Sequence, residues 1–296
     1  MYVIALTGDV GAGKSSMARA WHGQGATVLD ADRIARDQWR EPAIKEAAVR
    51  RWGKGILTEA GEVDLSRVSA LGFATDEDYR FMCALIHPST LTEMNRQIRS
   101  LRGWVVAEIP LLFEAGIPSW VDQIAYATAS VSFRIERGRV RGWTGGEIIR
   151  RERWLLPSDT KKTRADWVFE NHGSIEDWRA KACRMGELYR RMGSVVEIET
   201  YCHDKAEANK IAGALLEEKV VACCHFFDVS GRFRWEGSVE HREEFLLKMI
   251  TLDDFVPRIT KKIKELHSYQ QPFVETRDIY RADPATLRWV VDSCRP

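Results

Sequence analysis

The segment GDVGAGKSS at residues 8–16 carries the residue types that bind the phosphates of a nucleotide. Its glycines allow successive backbone N–H groups to point inward, and a helix start adds positive partial charge there. An apolar run precedes the segment and a helical pattern begins at Lys14, which is the context that a P-loop requires. We expect Lys14 to reach the terminal phosphates and the Ser15 hydroxyl to bind Mg²⁺. The predicted nucleotide-binding residues are Gly8, Gly11, Ala12, Gly13, Lys14, Ser15 and Ser16.

Two other segments place acidic side chains at the ends of apolar strands. Residues 25–32 read GATVLDAD, and residues 104–114 read WVVAEIPLLFE. Strand ends of an open α/β sheet line the ligand crevice, so these carboxylates would face the bound phosphates. Asp32 could accept a proton from an attacking hydroxyl or could cap the following helix. Glu108 could hold Mg²⁺ through water or could be a partly buried acid satisfied by backbone donors.

A histidine and a basic region leave further alternatives open. His87 precedes a proline within a helical pattern, where it is either a packed cap residue or a ligand. Residues 134–164 hold ten lysines and arginines against four acids. In a chain of balanced charge this local excess favours a phosphate clamp or a mobile lid, although a solvated helix face has the same composition. The candidate arginines are Arg134, Arg137, Arg141, Arg150, Arg151 and Arg153.

The chain is long enough for about two domains, and these must contain the helices and strands that position the residues above. The 296 residues carry 44 lysines and arginines against 43 aspartates and glutamates. This balance predicts no overall electrostatic attraction to nucleic acid or to a membrane surface. The apolar runs are too short to span a bilayer and no signal-peptide pattern is present, so we expect a cytoplasmic protein. Six cysteines without a CxxC pair predict neither a disulfide framework nor a four-ligand zinc site.

Residues 1 to about 190 resemble the dephospho-CoA kinases, the last enzymes of coenzyme A synthesis. The motifs LTGDVGAGKSS, GATVLDAD, IHP, IPLLFEAG and ADWVFENHGSIEDW occur in the order seen in that family. The resemblance implies an α/β P-loop kinase domain with a parallel sheet, which we place at residues 1–192. It also implies Mg²⁺-dependent transfer of the ATP γ-phosphate to the ribose 3′-hydroxyl of dephospho-CoA.

The resemblance assigns roles to individual residues of this chain. Asp32 matches the catalytic aspartate, and Lys14 assists it. The predicted substrate-binding residues are Asp32, His87, Leu111 and Arg137. Two positions depart from the family pattern: Asp9 stands where the family has a glycine, and Leu155 stands where it commonly has a glutamine. Asp9 would weaken nucleotide binding unless its side chain points outward.

After Gly193 and Ser194 the pattern restarts, and we place a second domain at residues 195–296. Strands are expected at 195–201, 219–227, 243–251 and 273–280, with helices after the first and the third strand and a short final helix from Pro284, which gives the α+β ferredoxin-like order β-α-β-β-α-β. The motifs LLEEKVVACCHFF, FRWEGSVEHREEFLLKMIT and ELHSYQQPF resemble the CutA divalent-cation tolerance family, which implies a homotrimer joined by strand pairing. Thr200 and Phe273 stand at the family's proposed metal ligands, and only His267 remains. We therefore expect a trimerising scaffold and no transition-metal site.

These observations support three hypotheses. The first is a dephospho-CoA kinase carried on a CutA-like trimer, and the second is a kinase for another small acceptor such as a nucleoside or nucleotide. The third is a nonenzymatic or weakly active nucleotide-binding assembly that responds to divalent cations, in which Asp9 has impaired the kinase. Together, DAD at residues 30–32 and PLLFE at 110–114 favour the first over the second.

Overall fold

The structure, a computed structural model, describes residues 1–140, 142 and 145–295, and these residues divide into two compact units. The first unit comprises residues 3–101 and 105–184. The second unit comprises residues 185–296 together with residues 1–2 and 102–104. Among the described helices, none is both long and apolar enough to cross a membrane.

A parallel five-stranded sheet forms the centre of the amino-terminal part of the chain, in the order β2-β3-β1-β4-β5. Helices connect its strands, as parallel pairing requires. The elements are β1 Tyr2–Gly8, α1 Lys14–His22, β2 Thr27–Asp30, α2 Ala31–Gln38, α3 Pro42–Trp52, α4 Leu65–Gly72, α5 Asp76–Ile98, β3 Trp104–Glu108, α6 Leu112–Ala115, β4 Gln123–Thr128, α7 Val131–Val140, α8 Gly145–Glu152, α9 Ser158–Lys162, β5 Trp167–Glu170 and α10 Ile175–Gly193.

The register of this sheet brings the chemistry-bearing strand ends together. All seven residues of β1 are buried, which explains its continuous apolar sequence. Asp30 at the end of β2 pairs with Glu108 at the end of β3, and Gly8 at the end of β1 pairs with Ala127 of β4. The glycine-rich loop and both acidic segments therefore meet at one edge, so the α/β prediction with a parallel sheet is confirmed.

An antiparallel sheet in the order β7-β8-β6-β9 forms the second unit, which confirms the predicted α+β class. Its elements are β6 Val195–Cys202, α11 Lys205–Glu217, β7 Val221–Trp235, β8 Ser238–Leu252, α12 Val256–Leu266, β9 Val274–Asp278 and α13 Pro284–Ser293. The buried core between sheet and helices is aliphatic, and it includes Ile198, Ile211, Leu215, Leu247, Ile259 and Ile263.

The hairpin of this unit is longer than the sequence indicated. Strands were expected at 219–227 and 243–251, whereas β7 and β8 each contain 15 residues and pair as far as Trp235 with Ser238. Glu236 and Gly237 both have positive φ, which is the geometry of a two-residue hairpin turn. The charged residues near the turn hid the strand pattern because both faces of this part of the hairpin are largely exposed.

Candidate functional site

The glycine-rich loop between β1 and α1 has backbone donors turned away from other protein groups. Among the residues that the structure describes, the backbone N–H groups of Gly11, Gly13, Lys14 and Ser15 have no hydrogen-bond acceptor. Gly11 and Gly13 have φ of 79° and 102°, a region that side chains disfavour. Four unpaired donors at the start of a helix form an anion-binding cradle, as a P-loop requires.

Two side chains from the end of the first unit hold this loop from outside. Asn171 donates from Nδ2 to the carbonyl of Ala12 at 2.8 Å, and Trp178 donates from Nε1 to the carbonyl of Gly13 at 3.2 Å. Because these carbonyls are fixed, the N–H groups on the opposite side of the loop keep their direction. Both residues belong to the motif ADWVFENHGSIEDW, to which the sequence assigned no role.

Lys14 and Ser15 lie beside the carboxylates predicted to share their site. The Lys14 ammonium donates to the carbonyls of Gly8 and Asp9, each at 3.0 Å, and burial lowers its pKa. The Ser15 hydroxyl donates to Glu108 Oε1 at 2.9 Å. A hydroxyl and a carboxylate oxygen in contact at a P-loop are the hard oxygen donors that Mg²⁺ prefers, so Ser15 and Glu108 fit this ion.

Asp30 and Asp32 have separate tasks. Asp30 is the N-cap of α2 and accepts a hydrogen bond from the Arg33 N–H at 3.1 Å, so the cap considered for Asp32 belongs to Asp30. Asp32 stands in the first turn of α2 and is exposed. Crowding by protein atoms and repulsion from Asp30 raise the pKa of Asp32, while Lys14 and Arg36 lower it. An accessible carboxylate with a raised pKa suits proton acceptance.

A cavity of about 180 Å³ opens next to Asp32. His87 and Leu111 line it together with Asp32, so three of the four predicted substrate-binding residues surround one space. Burial lowers the pKa of His87, which favours a neutral imidazole. The remaining lining is mostly apolar and aromatic, and includes Trp39, Phe73, Tyr79, Met82, Ile86 and Ile109.

Arg137 lies elsewhere. It is absent from the lining of that cavity, and its guanidinium donates to the backbone carbonyl and Oδ1 of Asn171 at 3.2 and 2.9 Å. The cation also lies over the Phe133 ring, 5.6 Å from the centroid. The structure thus places Arg137 against the residue that holds the P-loop.

The other basic residues of the predicted lid differ from one another. Arg134 is buried, forms an ion pair with Glu152, and donates to the carbonyl of Val10 at 3.1 Å. It therefore fixes the P-loop and is not a mobile clamp. Arg153 lies over Trp154, and Arg150 and Arg151 lie in α8. Arg141 lies outside the described residues.

The Asp9 side chain points away from the phosphate cradle. It is buried and accepts hydrogen bonds from Tyr126 Oη and Thr128 Oγ1, both at 2.6 Å, and from Ser158 Oγ at 3.2 Å. Burial and the hydrogen bond to Asp9 raise the pKa of Tyr126, so its phenol stays a donor. Three hydroxyl groups satisfy the carboxylate, which is the outward orientation that the sequence left as a condition.

Sequence reasoning missed two groups next to this site. Lys161 in α9 is buried, and its ammonium contacts Glu114 Oε1 at 2.7 Å. The N–H of Leu156 also donates to that oxygen, at 2.9 Å. Lys161 belonged to a basic run in which single residues could not be ranked, and Glu114 belonged to the PLLFE motif. Neither residue had a sequence signal of its own.

The second unit contains a cluster that the sequence did not predict. The candidate ligand atoms of Cys202, Glu207 and His267 lie within 4.8 Å of one another, so His267 is not alone, which corrects that expectation. However, its Nε2 lies 3.0 Å from the Tyr201 carbonyl, and its Nδ1 accepts from the Tyr269 N–H at 3.1 Å. Burial raises the pKa of Cys202 to about 12. A histidine without a spare lone pair and a protonated thiol fit a structural hydrogen-bond cluster and do not fit a metal site.

Comparison with known proteins matches both parts of the chain. A family model described as dephospho-CoA kinase matches residues 2–177, and one described as CutA1 divalent ion tolerance protein matches residues 196–293. The dephospho-CoA kinase of Carboxydothermus hydrogenoformans is 35% identical over 184 residues, which cover 60% of this chain and 89% of that protein. That of Deinococcus radiodurans is 34% identical over 178 residues, covering 58% and 85%. The crystal structure of TT1252 from Thermus thermophilus has a TM-score of 0.54 at 33% identity and covers 63% of this chain and 97% of that one.

Proposed function

Because the chain belongs to the dephospho-CoA kinase family, we propose that it transfers the γ-phosphate of ATP to the ribose 3′-hydroxyl of dephospho-CoA. The observation that carries this proposal is the position of Asp32, between the lining of an apolar cavity and the Lys14 ammonium. An acceptor that contains an aromatic base fits such a lining, which is mostly apolar and aromatic. Its hydroxyl would then lie near a carboxylate and a phosphate cradle at once.

The reaction assigns one task to each group of the site. The unpaired N–H groups of the loop and Lys14 hold the nucleotide phosphates, and Asp32 orients the acceptor hydroxyl and takes its proton. Ser15, and Glu108 through water, would hold Mg²⁺, and the bound ion would supply positive charge that neutralises charge on the phosphates. Positioning and charge stabilisation supply most of the rate, because the transferred phosphoryl group needs no covalent intermediate.

A coupled ADP-release assay tests the acceptor. Dephospho-CoA, adenosine and AMP serve as rival acceptors at equal concentration, and we expect turnover with dephospho-CoA to exceed the others by about 100-fold or more. Asp32→Asn should keep ATP binding and lower kcat by about 100-fold or more, because the amide takes no proton. Arg33→Gln is the matched control, since Arg33 is the exposed neighbour in the same helix.

Three results would contradict this assignment. Equal turnover with adenosine or AMP would favour the second hypothesis. No turnover with any acceptor, despite measurable ATP binding, would favour the nonenzymatic assembly. Unchanged turnover in Asp32→Asn would remove Asp32 from the proton-transfer role.

We also propose that the functional domains are residues 1–192 and 195–296, and that the second holds the protein as a homotrimer. The support is the edge of the antiparallel sheet. β7 is an edge strand of 15 residues, and Phe226 and Phe227 on it are 38% and 48% exposed. An edge strand of this length with exposed aromatics is stable in solution when another chain pairs with it.

A further inference from the structure

The short helix α9 is held at two points, one on the P-loop and one on the α6 segment. Its first residue, Ser158, donates to the Asp9 carboxylate of the P-loop at 3.2 Å. One turn later, the Lys161 ammonium contacts Glu114 of the α6 segment at 2.7 Å. A five-residue helix has little stability of its own, so these contacts determine where it lies. Asp9 and Glu114 thus fix α9 relative to the strand ends that carry the site.

Lys161 is unusual because its side chain is only 4% exposed. Lysine is rarely buried to this degree, and burying its charge costs free energy even when it is paired. Its partner is incompletely used as well: among the described residues, Glu114 Oε2 is buried with no hydrogen-bond donor. A structural ion pair retained for stability would satisfy both oxygens, so this pair calls for another explanation.

The position of Lys161 supplies that explanation. Burial mainly lowers the pKa of Lys14, and the positive charge of Lys161 lowers it further, so the two ammonium groups influence each other. Glu114 in turn acts on His87 of the acceptor cavity. Ser158 ties the same helix to Asp9 of the P-loop, and Glu114 adjoins Ala115 of the acceptor-cavity lining, so Lys161 lies between a P-loop contact and a residue next to that cavity.

We propose that Lys161 is a second phosphate-binding cation of this site, which contacts the terminal phosphate of the nucleotide, and that Asp9 positions it by holding Ser158 at the start of α9. The proposal rests on the proposed kinase function. It gives Asp9 a task in this chain: the carboxylate that departs from the family glycine ties the P-loop to the helix that carries the second cation.

The first test compares two adjacent lysines. Lys161→Met removes the buried ammonium and keeps the aliphatic stem, and we expect kcat to fall by about 100-fold. Lys162→Met is the matched control, since Lys162 pairs with Asp159 in its own helix, and we expect kcat to stay within about twofold. Equal losses in both variants, or no loss in Lys161→Met, would overturn the proposal.

The Glu114 carboxylate needs its own control, because Lys161→Met leaves it buried without a cation. A double variant, Glu114→Gln with Lys161→Met, removes both charges. We expect this double variant to fold with a melting temperature near that of the parent and to lose kcat as Lys161→Met does. Recovery of kcat in the folded double variant would show that the unpaired carboxylate caused the loss, and would overturn the role of Lys161.

A binding measurement separates this proposal from the kinase function. Calorimetry with AMP-PNP and ADP measures how much the terminal phosphate contributes to binding, without turnover. We expect Lys161→Met to weaken AMP-PNP by about tenfold and ADP by no more than about twofold. This selective loss in a protein that turns over no acceptor would support the phosphate contact and reject the kinase assignment. Equal weakening of AMP-PNP and ADP binding in an active kinase would support the kinase assignment and reject the phosphate contact.

A double-mutant cycle tests the positioning role of Asp9 and Ser158. We expect Ser158→Ala and Asp9→Asn each to lower kcat by about fivefold with little change in the KM for ATP, and Thr160→Ala, an exposed hydroxyl of α9, to have no effect. In a Lys161→Met background, Ser158→Ala should cause no further loss. Additive losses would mean that Ser158 does not act through Lys161. A melting temperature that falls while kcat stays constant would reduce Asp9 to a structural residue.

Discussion

At the scale of single residues, the site depends on carboxylates that do different things in different surroundings. Asp30 caps a helix, Glu108 contacts the P-loop serine, Asp9 is enclosed by hydroxyl groups, and Asp32 is accessible. The sequence could predict that Asp32 and Glu108 meet at one edge, because parallel strand ends do so. It could not predict the direction of the Asp9 side chain, because Tyr126, Thr128 and Ser158 come from residues far along the chain.

The raised pKa of Asp32 predicts a pH dependence of the reaction. A base must be ionised to take a proton, so kcat/KM for dephospho-CoA should fall as the pH drops through the pKa of Asp32. Because crowding and Asp30 raise that pKa, the fall should begin above pH ~4, the ordinary range of aspartate. A pH–rate profile measures it. Asp32→Asn should lose this acidic limb, and a limb unchanged in that variant would belong to another group.

Asp9 predicts a loss of stability on truncation. Asp9→Ala leaves three hydroxyl groups without this acceptor, two of them on the buried residues Tyr126 and Thr128, and we expect the free energy of unfolding to fall by about 2–3 kcal/mol. Asp9→Asn keeps an acceptor oxygen and should lose about 1 kcal/mol. Urea unfolding of both variants provides the comparison. Equal stability of Asp9→Ala and the parent would mean that the hydroxyl groups find other partners.

At the scale of elements, the P-loop is a rigid part because neighbours hold its carbonyls. A Cβ at Gly13 would lie 2.6 Å from Asn171 Nδ2 and 3.0 Å from Trp178 Nε1. The glycine pattern predicted the loop, since its chemistry is local. The contacts that restrain it from outside come from Asn171, which directly follows β5, and from Trp178 in α10, and the sequence of the loop itself does not predict them.

Gly13→Ala should therefore reduce ATP binding in addition to straining the backbone. We expect it to weaken ATP binding by at least about tenfold, because the loop must move away from Asn171 and Trp178. Gly53→Ala is the control: Gly53 also has positive φ, at 78°, but nothing lies within 4 Å of its added Cβ. Both variants should lose about 1–2 kcal/mol of stability from the backbone, and calorimetry should separate them by ATP affinity. Similar ATP affinities of the two variants would show that the P-loop tolerates displacement.

At the scale of the whole molecule, the proposed trimer predicts a mass near three times 33.9 kDa for the intact chain by sedimentation. The double variant Phe226→Glu with Phe227→Glu should have a lower mass, because charges on an exposed edge oppose strand pairing. Leu71→Glu is the control, being an exposed apolar residue of the first unit. A monomer for the unsubstituted chain would contradict the trimer.

The sequence predicted different features in the two parts of the chain. In the second unit the element order followed from periodicity, whereas in the first part of the chain the fold class followed from the P-loop context and the family resemblance. In the second unit the Cys202 cluster went unnoticed, because Cys202, Glu207 and His267 belong to the end of β6, the start of α11 and the end of α12. Tertiary packing alone brings these three positions together, and one sequence without its fold does not show it.

The division of the chain has a consequence for its synthesis. Tyr2 at the start of β1 and residues 102–104 at the start of β3 belong to the unit that residues 185–296 complete. Domains generally begin to fold as they leave the ribosome, amino-terminal parts first. Here the first residues of β1 and β3 belong to a unit that is complete only when the last third of the polypeptide has been translated. A ribosome that stalls within that last third would therefore release a chain in which two strands of the parallel sheet begin in an incomplete unit.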